Sequence, residues 1–180
     1  MAGDASHAPL PPGAAEESCK GCGSPARGRV CHFCGTLIAR IESPEAEAEA
    51  IAELHAAITD AKDDKARARL LANGPLPDDR DVLIDAALRA SQLMSPKEYA
   101  DETPHAAVRR VEAVCMKLRV LAAGDPVADR GVHELEKKLA AFKHGAAQEE
   151  REGGKAVLVI LLVGLGLFGL IAFGIWSAAR

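Results

Sequence analysis

Aromatic residues are scarce in this sequence of 180 residues, where they make up 3%. Outside an apolar C-terminal segment they are only Phe33, Tyr99 and Phe142. Because aromatic side chains bury the largest areas, we expect a small, aliphatic core. Residues 1–18 also lack a basic start followed by an apolar run, so no secretory signal peptide is expected.

The sequence also lacks a net positive charge and recognisable catalytic motifs. The net charge is −4, which argues against bulk electrostatic affinity for nucleic acid. Residues 43–144 contain no HExxH, no GxSxG and no P-loop. We therefore predict that the chain is not an enzyme, with no small-molecule substrate and with nucleic acid an unlikely partner. An enzyme that uses the interior of the helical region remains an alternative.

One long apolar run is present at residues 156–176, which contain no charge, amide or hydroxyl. A helix of this length reaches roughly 31 Å, about the hydrocarbon thickness of a bilayer. The run predicts a single C-terminal transmembrane helix at residues 156–177, with a lipid bilayer as a partner. Because only a few residues follow it, we predict a tail-anchored protein.

The charges beside this run predict its orientation. Lys143, Arg151 and Lys155 precede it, whereas Arg180 alone follows. Cytoplasmic flanks carry the excess of Lys and Arg. We expect the N-terminus in the cytoplasm and the protein at the cytoplasmic face of a membrane, the inner membrane if the protein is bacterial.

Four cysteines near the N-terminus form two Cys-x-x-Cys pairs separated by eight residues, and a glycine follows each pair. They are Cys19, Cys22, Cys31 and Cys34. Gly23 and Gly35 suit the positive-φ turn that closes such a knuckle. Two knuckles supply four sulfurs for a closed, tetrahedral zinc site. The segment around them contains too few apolar residues to fold without a metal ion. A dithiol redox pair and a catalytic zinc are the less favoured alternatives.

Residues 18–41 resemble the short zinc-ribbon module found near the amino end of many bacterial membrane proteins. The resemblance is carried by the two Cys-x-x-Cys-Gly knuckles and covers about 20 residues. It implies zinc on the four cysteines. It implies a structural or docking module and no activity of its own.

Basic residues surround the cysteines, with no acidic residue between Ser18 and Ile41. They are Lys20, Arg27, Arg29 and Arg40. One interpretation is that they compensate the negative charge of zinc bound to four thiolates. The other is a small docking face for an acidic partner or nucleic acid.

Residues 43–144 are predicted to form an antiparallel bundle of four or five helices. Helix starts recur as a capping residue followed by proline, a pairing that suits the first turn. These are Ser43-Pro44, Ser95-Pro96, Thr103-Pro104 and Asp125-Pro126. Apolar residues between them follow helical spacing. Residues 44–73 form one helix or two, and a tetratricopeptide-like stack is a weaker alternative because its landmark residues are missing.

The fold class predicted is therefore mainly α, with a small N-terminal zinc ribbon, a helical bundle and a C-terminal transmembrane helix. Residues 1–17 are predicted to be a disordered tail, and 145–155 a polar linker. We predict a membrane-anchored adaptor that presents the bundle to a cytoplasmic protein partner. The alternative is a membrane-tethered regulator that contacts nucleic acid or a transcription factor through its basic ribbon.

Overall fold

A computed structural model describes the backbone of residues 17–26 and 28–178, and the side chains of residues 18–26 and 28–152. The predicted disordered tail therefore lies outside the described residues, apart from the backbone of Glu17. Arg27 also lies outside them.

The described part of the chain opens with two short strands, and its helices follow from Pro44 onward. Strands β1 (Glu17–Ser18) and β2 (Pro25–Ala26) pair antiparallel, with Glu17 opposite Ala26. The helices are α1 (Pro44–Asp60), α2 (Asp64–Asn73), α3 (Arg80–Ser91), α4 (Glu102–Leu121) and α5 (Pro126–Ala178), with a 3-10 turn at Pro96–Glu98 before α4. The predicted mainly helical content is confirmed.

Helix α4 is at the centre of the bundle, which we define as α1 to α4 and the first part of α5. It packs against α2, α3 and α5, while α1 packs against α2 and α3. The largest fully buried side chains of the bundle are aliphatic; they are Leu54, Leu70, Leu71, Leu83, Val111, Val114, Leu118 and Leu135. The interior is aliphatic, as the scarcity of aromatic residues predicts.

The caps explain where α1 and α2 begin and end. Ser43 accepts a hydrogen bond from the Ala46 amide at 3.2 Å, as its position before Pro44 predicts. The first helix ends at Asp60, and the side chain of Asp63 then caps α2 by accepting from the Ala66 amide at 2.7 Å. Residues 44–73 therefore form two helices, because Asp63 supplies a new N-cap between them.

The start of α4 is capped by a residue distant in sequence. Thr103 is not its N-cap, because the helix already begins at Glu102. The Asp64 carboxylate accepts from the amides of Glu102 at 2.6 Å and Thr103 at 3.1 Å. A carboxylate at a helix N-terminus also complements the helix dipole. A hydrogen bond with the Thr103 side chain, and then those from the two amides, lower the pKa of Asp64.

Arg110 is a buried guanidinium on α4 that binds the end of α2. Its exposed fraction is 5%, and it donates to the carbonyls of Leu71 at 3.0 Å, Gly74 at 3.0 Å and Pro75 at 2.6 Å. Helix C-termini leave carbonyls without intrahelical partners, so a cation suits this place. Burial lowers the pKa of Arg110 to about 10, which leaves it charged at neutral pH.

Helix α5 continues through residues 145–155, which the sequence predicts to be a linker. Its side chains are amphipathic up to Phe142, where one stripe is buried against the bundle, and the exposed surface is rich in charged residues as far as Glu152. Gly145 does not end the helix. It faces Pro96 so closely that an added Cβ would lie 2.8 Å from the proline Cβ, which favours glycine here.

The membrane part of the prediction is corrected. Within the part of the chain that the structure describes, no helix combines the length and apolar character required to cross a membrane. A spanning helix needs about 20 consecutive, predominantly apolar residues, whereas α5 up to Glu152 exposes charges along most of its circumference. Neither the transmembrane helix in the fold class nor the location at the cytoplasmic face of a membrane is supported. The side chains of residues 156–177 lie outside the described residues.

Candidate metal centre

The ribbon, residues 18–41, contains two knuckles with the same backbone hydrogen bonds. In the first, the Cys19 amide donates to Ser24 O and the Gly23 amide to Cys19 O, both at 2.8 Å. In the second, the Cys31 amide donates to Thr36 O at 2.9 Å and the Gly35 amide to Cys31 O at 2.8 Å. Each knuckle therefore brings its two cysteines to one side of a tight turn.

Glycine is required at the end of each knuckle. Gly23 has φ of 74° and Gly35 has φ of 82°, a region that L side chains rarely adopt. The predicted positive-φ turns are confirmed. At Gly35 there is a second reason, because an added Cβ would lie 2.8 Å from the Leu70 carbonyl oxygen. The second knuckle thus rests against the end of α2.

The structure brings the four predicted cysteines together. Their sulfur atoms all lie within 4.8 Å of one another. Cys19 Sγ is 3.6 Å from Cys34 Sγ, and Cys22 Sγ is 3.7 Å from Cys31 Sγ. Each of these short distances links a cysteine of one knuckle to a cysteine of the other, so both knuckles contribute sulfurs to one site.

These distances fit a tetrahedral metal ion. Four sulfurs placed about 2.3 Å from a common centre lie about 3.8 Å from each other. The two cross-knuckle distances are close to this edge length. Four sulfurs also complete a tetrahedron and leave no open position for a substrate or water. The cluster can therefore bind a metal ion in a closed site.

Burial differs among the four sulfurs. Cys19, Cys31 and Cys34 are buried, whereas Cys22 is exposed. Burial raises the pKa of Cys31 to about 12, while a hydrogen bond with the Ser24 side chain lowers the pKa of Cys22 to about 6. The Gly21 amide lowers the pKa of Cys19. Since the thiolate is the metal ligand, Cys31 must release its proton when an ion binds.

Groups that do not come from cysteine also contact the sulfurs of Cys19 and Cys34. The Gly21 amide donates to Cys19 Sγ at 3.4 Å, and Thr36 Oγ1 lies 3.2 Å from Cys34 Sγ. Hydrogen bonds to ligand atoms orient them and tune a metal site. Sequence reasoning missed Thr36, although its position two residues after a cysteine was an available signal.

The described basic residues around the ribbon, which exclude Arg27, do not form one free surface. Arg29 binds Glu49 of α1, with its Nε 2.9 Å and its Nη2 2.8 Å from Glu49 Oε2. Arg40 is exposed and lies 3.6 Å from Glu42. Lys20 is exposed between the two cysteines of the first knuckle. Sequence reasoning missed Glu49 because it lies outside the acid-free stretch in which the four basic residues were grouped.

A groove of about 540 Å³ runs beside the cysteines, between the ribbon and the corner that joins α1 to α2. Cys22 and Phe33 line its ribbon side, and Phe33 is 58% exposed. The opposite side combines small and charged residues, which are Ala57, Ala61, Ala66, Asp60, Lys62, Asp63 and Arg69. An exposed aromatic ring beside small side chains leaves room for an apolar group.

Comparison with protein-family models, with curated proteins and with solved structures finds no match to this chain.

Proposed function

We propose that this protein is a zinc-binding adaptor in which zinc closes the ribbon and the ribbon, together with the bundle, binds a protein partner. The observation that carries the proposal is the set of four sulfurs within 4.8 Å of one another, on two knuckles of the same geometry. Zinc prefers a tetrahedral set of thiolates, and a four-cysteine set is typical of structural zinc sites.

The closed site supports a structural role for the ion. Catalytic zinc retains a position for water or substrate, which a four-sulfur set does not provide. In the ribbon, the buried apolar contacts are few, so the ion would replace a hydrophobic core.

The groove beside the cysteines supports a docking role. Exposed aromatic residues are enriched in binding surfaces, because their burial in a complex is favourable. Phe33 protrudes from the second knuckle, and zinc would hold that knuckle in place. We therefore propose that a protein segment with an apolar side chain binds between Phe33 and the small residues of α1 and α2.

The regulator that contacts nucleic acid receives less support from the geometry. Its proposed contact residues include Arg29, whose guanidinium is bound to Glu49, and Arg40, which lies near Glu42. Phosphate binding requires cations that can neutralise phosphate charge. Partly compensated arginines reduce that capacity.

The zinc part is tested by metal analysis of the full chain, purified under reducing conditions and without chelator. We expect one zinc per chain.

The docking part is tested by a photo-crosslinking amino acid placed at Phe33 in cells, with the partially exposed Leu88 of α3 as the matched control position. One discrete protein should crosslink from position 33 and not from position 88. Equal crosslinking from both positions, or crosslinking unchanged when Cys31 is replaced by Ser, would contradict it.

A further inference from the structure

Glu53 lies on α1, outside the cysteine cluster, yet it binds the chain that leads into the second knuckle. Its Oε2 accepts hydrogen bonds from the Arg29 amide at 2.7 Å and from the Val30 amide at 3.1 Å. One carboxylate oxygen thus receives two consecutive main-chain amides. Hydrogen bonds to a charged acceptor are about twice as strong as those between neutral groups.

The local chain is shaped to let this carboxylate approach. Gly28 has φ of 80°, and an added Cβ would lie 2.7 Å from Glu53 Oε2. A side chain at position 28 would therefore collide with the carboxylate as well as strain the backbone. The glycine precedes the two amides that Glu53 binds.

The two bound amides come directly before a metal ligand. Val30 is followed by Cys31, which is fully buried and whose amide and carbonyl form the main-chain bonds of the second knuckle. The side chain of Val30 is itself fully buried in the core of the bundle. The backbone that carries Cys31 is thus held on one side by a carboxylate and a core residue.

We infer that Glu53 is a positioning residue for the metal centre: by binding the Arg29 and Val30 amides it holds Cys31 in place and couples metal binding to the bundle. Groups that orient ligands without touching the metal commonly change metal affinity by about 10- to 100-fold. The inference rests on the zinc site of the proposed function. It adds a residue of the bundle to the determinants of that site.

Coupling of this kind is reciprocal. If the bundle stabilises the geometry that binds metal, then metal stabilises the part of the bundle that the ribbon contacts, by the same free energy. The contacts are with α1 through Glu53 and with the end of α2, where Gly35 approaches Leu70 and Gly74. Metal removal should therefore increase amide hydrogen exchange in α1 and α2 more than in α4.

The test compares zinc affinity of the full-length wild-type protein with that of Glu53→Ala, Glu53→Gln and Glu49→Ala, by competition with a chromophoric chelator. Glu49 is the matched control, because it lies one turn away on the same helix and, among the residues that the structure describes, binds only the side chain of Arg29. We expect zinc to bind 10- to 100-fold more weakly to Glu53→Ala. Glu53→Gln should lose less, since its amide oxygen can still accept both hydrogen bonds. Glu49→Ala should change affinity less than 3-fold.

The stability of the metal-free proteins separates positioning from a general structural role. Without metal, Glu53→Ala and wild type should unfold at the same denaturant concentration, because the ribbon is then unfolded in both. Equal zinc affinity of Glu53→Ala and wild type, or equal destabilisation of its metal-bound and metal-free forms, would overturn the inference while leaving the zinc site intact. A wild-type protein that binds no zinc would overturn both this inference and the proposed function.

Discussion

The buried interiors of the bundle and the ribbon consist of different kinds of residue. In the bundle, leucine, isoleucine, valine and alanine side chains from five helices form one continuous core. Around the sulfurs of the ribbon, the buried cluster consists of Cys19, Ala26, Cys31 and Cys34, with Ile38 packed against it, whereas Val30 of the ribbon is buried in the core of the bundle. Three of these four residues are cysteines of the candidate metal centre, so the ribbon has almost no apolar interior of its own.

The bundle and the ribbon therefore depend on different interactions for their stability. Burial of apolar surface contributes roughly 25 cal/mol per Å², which a bundle can accumulate over many side chains. A segment of about 20 residues cannot, and small domains of this size need a metal or disulfides. We therefore expect the ribbon to unfold on metal loss, while the bundle stays folded.

Replacement of one of the four cysteines should have the largest effect on the ribbon. Cys31→Ser removes a fully buried sulfur at the start of the second knuckle. We expect zinc content to fall from about one per chain to near zero and the ribbon to lose its structure, because binding of structural zinc contributes about 10 kcal/mol or more to folding of zinc-finger peptides. Metal analysis and NMR amide dispersion measure both effects.

Cys115→Ala is the control for this variant, because Cys115 is a buried cysteine on α4 outside the cluster. It should retain full zinc content. A Cys31→Ser protein that binds as much zinc as Cys115→Ala would show that the four-sulfur site does not bind the ion.

Removing core volume should affect the bundle and leave the ribbon metal in place. Leu118 of α4 is fully buried, so Leu118→Ala should lower the free energy of unfolding by about 2 to 5 kcal/mol. Val120→Ala is the control: Val120 is 80% exposed on the same helix, and its replacement should change stability by less than about 0.5 kcal/mol. Denaturant unfolding followed by circular dichroism measures both. Equal destabilisation by the two variants would contradict the assigned core.

Arg110 tests the polar contact that holds α2 against α4. Arg110→Leu leaves the carbonyls of Leu71, Gly74 and Pro75 without their donor, and each carbonyl left partly buried costs about 1 kcal/mol or more. We expect a loss of about 2 to 3 kcal/mol in the free energy of unfolding. Arg110→Lys should recover part of it, because an ammonium keeps the charge but not the planar set of donors. An Arg110→Leu protein as stable as wild type would refute this role.

His55 should make the bundle sensitive to acid. It lies on α1, and burial, with smaller contributions from Arg89 and Arg110, lowers its pKa to about 4. The unfolded chain binds a proton near pH 6.5, whereas the folded chain does not until about pH 4, so stability decreases as the pH falls through this window. We expect a loss of about 1 to 2 kcal/mol between pH 7 and pH 5, after allowing for partial solvent exposure.

The variant His55→Gln isolates this contribution, because glutamine does not titrate. Its unfolding free energy should depend less on pH than that of wild type over the same range, with zinc held at saturation in both proteins. Parallel pH profiles for the two proteins would show that His55 does not cause the acid sensitivity.

Local chemistry in the sequence predicted much of the fold. Ser43 before Pro44 located the start of α1, and Gly23 and Gly35 predicted the turns that close the knuckles. The four cysteines were predicted as one set from spacing alone, and the structure brings their sulfurs together. In each case the interacting groups lie within a few residues, or share a pattern whose geometry is restricted by the ligand chemistry.

Contacts between distant segments could not be predicted in this way. Asp64 caps α4 from 38 residues away, and Glu53 binds the ribbon from 24 residues away. Both carboxylates lie in runs that are typical of a solvated helix surface, so nothing in their neighbourhood distinguishes them. The predicted membrane helix was inferred from apolar length alone, and the described helices do not support it. The predicted linker began at Gly145, but this glycine lies within α5, where its close packing against Pro96 explains it.

We propose that one zinc ion, bound by four thiolates, replaces a hydrophobic core in the ribbon. X-ray absorption spectroscopy at the zinc edge, on the full-length protein purified under reducing conditions without chelator, can test this proposal. We expect about one zinc per chain, surrounded by four sulfur atoms at about 2.3 Å. A protein without zinc, or a shell in which nitrogen or oxygen replaces one or more sulfurs, would contradict it.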